Sequence, residues 1–204
     1  MRYKIHSFRH AEVILANENE FSEVWQELLD VISSITDDEI KEYFENAKRK
    51  AKSLSEAINN ILKVKLINLG WNEESLIFQD DEYSGNRWRL DFAKHNISLE
   101  VAFNHGEAIA WNLIKPVIAS ELNHVNKEID TEIGIIICAT KDLKTKGGFD
   151  GAVGEYEKFL TYLNPLRDLL SVPMVIIGLE APETFEIEHI TVNGRKQGNI
   201  KNIG

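Results

Sequence analysis

The chain has 204 residues, a formal net charge of −10 from 23 Lys and Arg against 33 Asp and Glu, and 43% hydrophobic content. That balance predicts one globular domain able to bury its own core, and it argues against a generic basic coat for nucleic acid while leaving room for a DNA enzyme with a local basic cleft. The lone Cys138, inside an apolar run, excludes a disulfide framework and cysteine-rich zinc clusters; with no signal-peptide core and no membrane-length apolar run, a soluble cytoplasmic protein is expected.

In chain order, residues 8–16 and 20–35 read as helices, the second carrying Phe21, Val24, Trp25, Leu28, Leu29 and Ile32 at helical spacing. Thr36-Asp37-Asp38-Glu39 is a capping box opening a helix over about 37–50. Ser53 or Ser55 caps another over about 54–69, which Gly70 stops. Residues 75–80, 86–92 and 97–104 read as strands, and 106–127 as a helix with Pro116 as its kink. The β-branched run 133–139 predicts a fully buried strand. A Lys- and Gly-rich loop over 141–151 follows, then a helix over 152–170, a second buried strand over 172–179, and a strand-like, polar tail from Glu183. Helices before and between strands predict an α/β sandwich with a mixed central sheet. The expected organisation is a single domain over 1–204: a mainly helical part to residue 70, a core over 71–182, and a carboxy-terminal tail over 183–204.

The informative stretch is Arg89-Leu90-Asp91-Phe92-Ala93-Lys94-His95-Asn96-Ile97-Ser98-Leu99-Glu100-Val101-Ala102-Phe103. It predicts two strands folding back at His95-Asn96, with Phe92 opposite Leu99 and Asp91 opposite Glu100. Side chains alternate along a strand, so the two carboxylates would share one face with Cβ atoms roughly 4.5–5.5 Å apart. Like charges directly opposite destabilise a sheet. Either one carboxyl holds a proton or something positive lies between them. A divalent cation is the simplest candidate, since Mg²⁺ is held by one or two carboxylates with waters and phosphate oxygens; a structural salt bridge to Arg89 or Lys94 is the alternative. Glu100 lies within an apolar strand, where an unsatisfied carboxylate is costly. A glycine-rich phosphate loop, a G-x-S-x-G elbow and an H-E-x-x-H helix are all absent from the sequence. The scattered histidines, His105 and His124 among them, read as structural residues.

The order Asp91-Phe92-Ala93-Lys94, five residues, then Glu100-Val101-Ala102-Phe103 resembles the catalytic segment of BglII/BstYI-type restriction endonucleases, within the wider PD-(D/E)xK nuclease fold. There an Asp, eight intervening residues and Glu-Val-Gln-Phe form the metal site. Further segments also look like the family: His10-Ala11-Glu12-Val13-Ile14-Leu15, Gly70-Trp71, the run 133–139 with Thr140-Lys141, Tyr156-Glu157 and the run 172–179. The resemblance implies a restriction-endonuclease-like fold and Mg²⁺-dependent cleavage of a short palindromic duplex DNA site, centred on GATC in relatives. It also implies a homodimer cutting one strand per subunit, with a cognate DNA methyltransferase as functional partner. Asp91 and Glu100 would hold the cation, with the main-chain carbonyl of Val101 as a further ligand. The family's third motif residue, Gln, Lys or Glu, is Ala102 here. Three explanations compete: an inactivating substitution, migration of the role to Asn104, or replacement from elsewhere by Glu74, Lys94 or His105. Migration is favoured, with Asn104 and Glu74 first.

Reading bases needs side chains delivered to the major groove. Asn104 and His105, directly after the motif strand, and Lys141, Lys144 and Lys146 in the following loop are the candidates for DNA contact; Lys48-Arg49-Lys50 with Lys52, and Arg195-Lys196, are further basic clusters. A two-fold site needs a two-fold protein, for which Trp111, Leu113 and Tyr162 are candidate interface residues, with core packing as the alternative. The rival readings are a DNA-binding protein that has lost catalysis, a repair or methylation-dependent nuclease on the same fold, and a two-carboxylate hydrolase such as a glycosidase.

Overall fold

The computed structural model of the chain describes residues 1–47, 51–79, 88–121 and 130–203. The elements run β1 (Tyr3–Phe8), α1 (Ala11–Asn17), α2 (Asn19–Ser34), α3 (Asp37–Asn46), α4 (Ser55–Asn68), β2 (Asn72–Leu76), β3 (Arg89–Lys94) and β4 (Ile97–Val101). After a 3₁₀ turn (Gly106–Ala108) come α5 (Ile109–Glu121), β5 (Ile133–Ala139), α6 (Lys141–Lys146), α7 (Tyr156–Leu163), β6 (Met174–Leu179), β7 (Phe185–Val192) and β8 (Arg195–Asn202).

Among the described residues, six strands form one sheet in the order β1-β6-β5-β4-β3-β2, and β7 and β8 pair separately. The central pairs β4–β5 and β5–β6 are parallel, whereas β1–β6, β3–β4 and β2–β3 are antiparallel, so the sheet is mixed as expected. Strand parity divides the core. Ile133, Ile135 and Ile137 of β5, with Ile97 and Leu99 of β4, pack against the amino-terminal helices through Phe21, Trp25, Leu28 and Leu62. Ile136 and Cys138 face the opposite layer of Ile109 and Leu113 from α5 and Phe159 from α7. Continuous apolar character in β5 follows from helices covering both faces. Pro116 is accommodated inside α5 because Gly134 lies beneath it: a Cβ there would come within 2.8 Å of the proline ring.

Several local signals act as expected. The Thr36 hydroxyl accepts from the Glu39 amide at 3.2 Å, capping α3. Gly70 takes φ +84° and the Trp71 amide donates to the Leu66 carbonyl, a Schellman ending to α4. Others do not. β1 was not foreseen; it lies at the sheet edge and pairs with β6, a long-range match that local periodicity does not encode. The expected loop over 141–151 opens with α6, because Thr140 caps it by accepting from the Leu143 amide and Asp142 sits in its first turn. The helix expected over 152–170 begins only at Tyr156 and ends at Leu163, just before Pro165, whose ring cannot continue the helical hydrogen bonds. Leu54, not Ser53 or Ser55, holds the N-cap position of α4. The tail is an ordered hairpin turning at Asn193-Gly194, with φ +50° and +73°. The basic run Lys48-Arg49-Lys50, His124, residues 80 and 86–87 of the expected strands, and residues 122–127 of the expected helix lie outside the described residues.

Candidate active site

The hairpin of β3 and β4 turns at His95-Asn96, with Phe92 opposite Leu99, Ala93 opposite Ser98 and Lys94 opposite Ile97. This register places Asp91 and Glu100 on one face, the face that α5 covers. Where the paired register ends, the two acids brace the strands instead. The Asp91 amide donates to Glu100 Oε1 at 3.3 Å, and the Val101 amide donates to Asp91 Oδ2 at 2.8 Å. Glu100 is buried, and Asp91 is partly buried beside it.

The positive partner is neither Arg89 nor Lys94. Arg89 reaches the carbonyl of Glu74 at 3.2 Å and its carboxylate at 3.8 Å. Lys94 extends to the other face, to Glu27 at 2.7 Å and the carbonyl of Leu69 at 2.6 Å. Lys115 of α5 meets Glu100 instead, Nζ to Oε2 at 2.6 Å, with 10% and 2% of the two side chains exposed. Sequence reasoning missed Lys115. The available signal was a pair of polar side chains, Asn112 and Lys115, at i and i+3 in the otherwise apolar stretch 109–119, both now buried.

Burial pushes the Glu100 carboxyl up to about 8; the charge of Asp91 adds to the rise, and Lys115 with the hydrogen bonds offsets part of it. Burial also raises Asp91, against the amide bond from Val101 and the charge of Lys115, with Glu74 adding to the rise. Glu74 has φ +46° and falls between the Glu73–Phe92 and Ser75–Leu90 pairs, so its register position is opposite Asp91. Its carboxylate is 68% exposed beside Arg89.

Asp91, Glu100, Val101, Asn104, Glu74 and Lys115 line one cleft of about 580 Å³, flanked by Asn59 and Asn60 of α4 and the Lys63–Glu73 ion pair. Asn104 is exposed and its Oδ1 accepts from Asn112 Nδ2 at 3.0 Å. Ala102 is 2% exposed and packs into the apolar cluster of Ile109, Leu113, Ile136 and Cys138. His105 is exposed and bridges to Val153. The three lysines lie on α6, where Lys144 pairs with Glu155 at 2.7 Å, Lys146 with Asp142 at 3.0 Å, and the Lys141 amide donates to Glu157. Leu113 is a core residue, whereas Trp111 stacks edge-on against Trp88 with ring centroids 5.5 Å apart.

The donor set fits a hard divalent cation. Two carboxylates share one face of an open cleft, and each is raised in pKa by crowding or burial that a positive ion would relieve. Among the described residues no three His, Cys, Asp or Glu side chains converge as a cage.

Three comparisons bear on this arrangement. Residues 3–179 match the family model described as restriction endonuclease BglII/BglIII. The fold is similar to the crystal structure of restriction endonuclease BglII complexed with a DNA 16-mer, at TM-score 0.70, 18% identity and full coverage of both chains. It is also similar to free BglII, at TM-score 0.58 with the same identity and coverage. No curated protein sequence is significantly similar to the chain.

Proposed function

The chain belongs to the restriction endonuclease BglII/BglIII family of site-specific deoxyribonucleases, and on that premise we propose that it is a Mg²⁺-dependent type II enzyme acting on a short palindromic duplex site, with GATC at its centre. The observation that carries this reading is the Asp91–Glu100 pair on one face of the β3–β4 hairpin, opening into a cleft. Asp91, Glu100 and the Val101 carbonyl would hold the cation. When bound, Mg²⁺ supplies a water of lowered pKa and positive charge at the scissile phosphate. Glu100 is kept in place by the Asp91 amide, and Asp91 by the Val101 amide, so both carboxylates are oriented before any ligand arrives. Asn104 and Glu74 border the same cleft and are candidates to orient the attacking water.

Asn104, His105, Lys141, Lys144 and Lys146 are the proposed DNA contacts. Lys144 and Lys146 must exchange their present carboxylate partners for phosphates; the exposed Lys146–Asp142 pair permits this at a cost of about 0–1 kcal/mol, while the Lys144–Glu155 pair is part-buried. Reading a palindrome calls for a homodimer with one cleft per strand, and a methyltransferase of the same specificity would protect the host site. No helix among the described residues is long and apolar enough to cross a membrane; a cytoplasmic location accords with the absence of disulfides. The family match sets aside the glycosidase reading.

The test is cleavage of plasmid and phage DNA with and without Mg²⁺. Discrete fragments are expected, sequencing of their ends gives the site, and Asp91→Asn should abolish cutting while leaving the circular dichroism spectrum unchanged. Undiminished cutting by that variant would refute the site. A second reading, a DNA-binding protein without catalysis, is favoured by the buried Ala102 at the third motif position; it predicts salt-dependent retention of DNA with no cleavage. A methylation-dependent nuclease would cut only modified DNA.

A further inference from the structure

Ala102 cannot supply a polar group to the cleft, because its methyl is buried among Ile109, Leu113 and Ile136. Position 102 is thus built as core. Yet the cleft does hold a fixed positive charge. Lys115, one helical turn past Asn112 on α5, brings Nζ to 2.6 Å from Glu100 Oε2 and lines the cleft with Asp91, Val101 and Asn104. Nothing in core packing calls for an ammonium at that position, since its helix neighbours Leu113 and Val117 are apolar and buried. Burying an ammonium against a carboxyl is costly relative to well-packed apolar side chains and is a poor device for stability alone.

We propose that Lys115 carries the function missing at Ala102: its ammonium is held against Glu100 before DNA arrives, and in the complex donates a hydrogen bond to a non-bridging oxygen of the scissile phosphate. This rests on the nuclease reading above. The role has moved from the strand to the helix that covers it, from which Lys115 reaches the same carboxyl. A lysine suits the task because it is a compact point charge with three donors, two of which stay available when one faces Glu100. Removing one such donor from a phosphate or oxyanion costs roughly 10²–10³-fold in rate. Lys115 also competes with a cation for Glu100, so its two effects separate: it should oppose metal binding in the free protein and assist cutting in the complex.

The experiment compares Lys115→Met and Lys115→Arg with the unaltered protein, measuring plasmid cleavage with Mg²⁺, plasmid retention with Ca²⁺, and Mn²⁺ binding to the DNA-free protein by calorimetry. Lys115→Met should cut roughly 10²-fold more slowly, bind Mn²⁺ at least as tightly as the unaltered protein, and retain plasmid; Lys115→Arg should recover part of the cutting. Cutting by a folded Lys115→Met at the unaltered rate would overturn the proposal, as would loss of Mn²⁺ binding in step with loss of cutting, which marks a structural prop. Should Lys115→Met fail to fold, Lys115→Gln, which keeps a donor without the charge, carries the same comparison. If the unaltered protein itself neither cuts nor binds Mn²⁺, the nuclease reading has failed, and the role of Lys115 with it; normal cutting by the variants alone sinks only Lys115.

Discussion

Glu100→Gln should change how stability depends on pH, and the sign is set by the buried carboxyl. In the folded protein Glu100 is pushed from 4.5 to about 8. Between those values the native state keeps a proton that the unfolded chain has released. Stability from this group is therefore complete below about pH 4.5 and is lost as pH rises through about 8. The slope is about −1.4 kcal/mol per pH unit across the window, accumulating to about 5 kcal/mol in the limit. Glutamine is nearly isosteric with the protonated acid and can still accept from Lys115, but it has no proton to lose. Asp91, also raised, acts in the same sense and is present in both proteins. Urea unfolding in EDTA from pH 5 to 8.5 should show the two proteins converging in acid and the glutamine variant increasingly the more stable toward pH 8. EDTA matters, because any divalent ion would favour the carboxylate. A constant advantage for the unaltered protein across the whole range would refute the reasoning, since it would mean that Glu100 and Lys115 stay a fully charged pair throughout.

Two further substitutions test the packing around the site. Ala102→Gln restores the third residue of the family motif but inserts an amide into the cluster of Ile109, Leu113 and Ile136; it should cost about 1–3 kcal/mol in urea unfolding and raise cutting not at all, and a gain in cleavage would show that the strand position can still reach the cleft. Gly134→Ala should destabilise by about 1–3 kcal/mol, because its Cβ would lie 2.8 Å from the Pro116 ring; a smaller proline-free variant, Pro116→Ala, should recover part of that loss in the double mutant.

The hairpin was legible because every signal there is local. Alternation fixed the faces, and the two-residue turn fixed the register that brings Asp91 and Glu100 to one face. The buried run of β5 and the stripe of α2 are legible for the same reason. Lys115 was not legible, because the meeting of α5 with β4 depends on how a helix docks across a sheet. Its polar face, Asn112 and Lys115, was visible but had no addressee in the sequence. β1 failed likewise: its partner β6 lies at the far end of the chain. The terminal hairpin is a different case, since Asn193-Gly194 is a strong short-range turn signal within a polar tail that lacks a clear apolar alternation.

A chain of charge −10 can act on a polyanion only if its few cations are released at the right place. Here they are held in two very different ways. Lys146 with Asp142 and Lys63 with Glu73 are exposed pairs. Exchanging a carboxylate for a phosphate there costs little, screens readily with salt and carries no sequence information. The Lys115–Glu100 pair is buried, so separating it leaves the ammonium uncompensated at a cost of about 3–5 kcal/mol unless new partners arrive for both groups. A cation beside Glu100 and a phosphate beside Lys115 would be that pair of partners. The cleft is then stable when empty of both, or filled by both, and unfavourable with only one. On the proposed nuclease reading such an arrangement would couple metal binding to correct seating of DNA, so a DNA that the surface lysines hold but that does not deliver its phosphate to Lys115 would recruit metal poorly and be cut slowly.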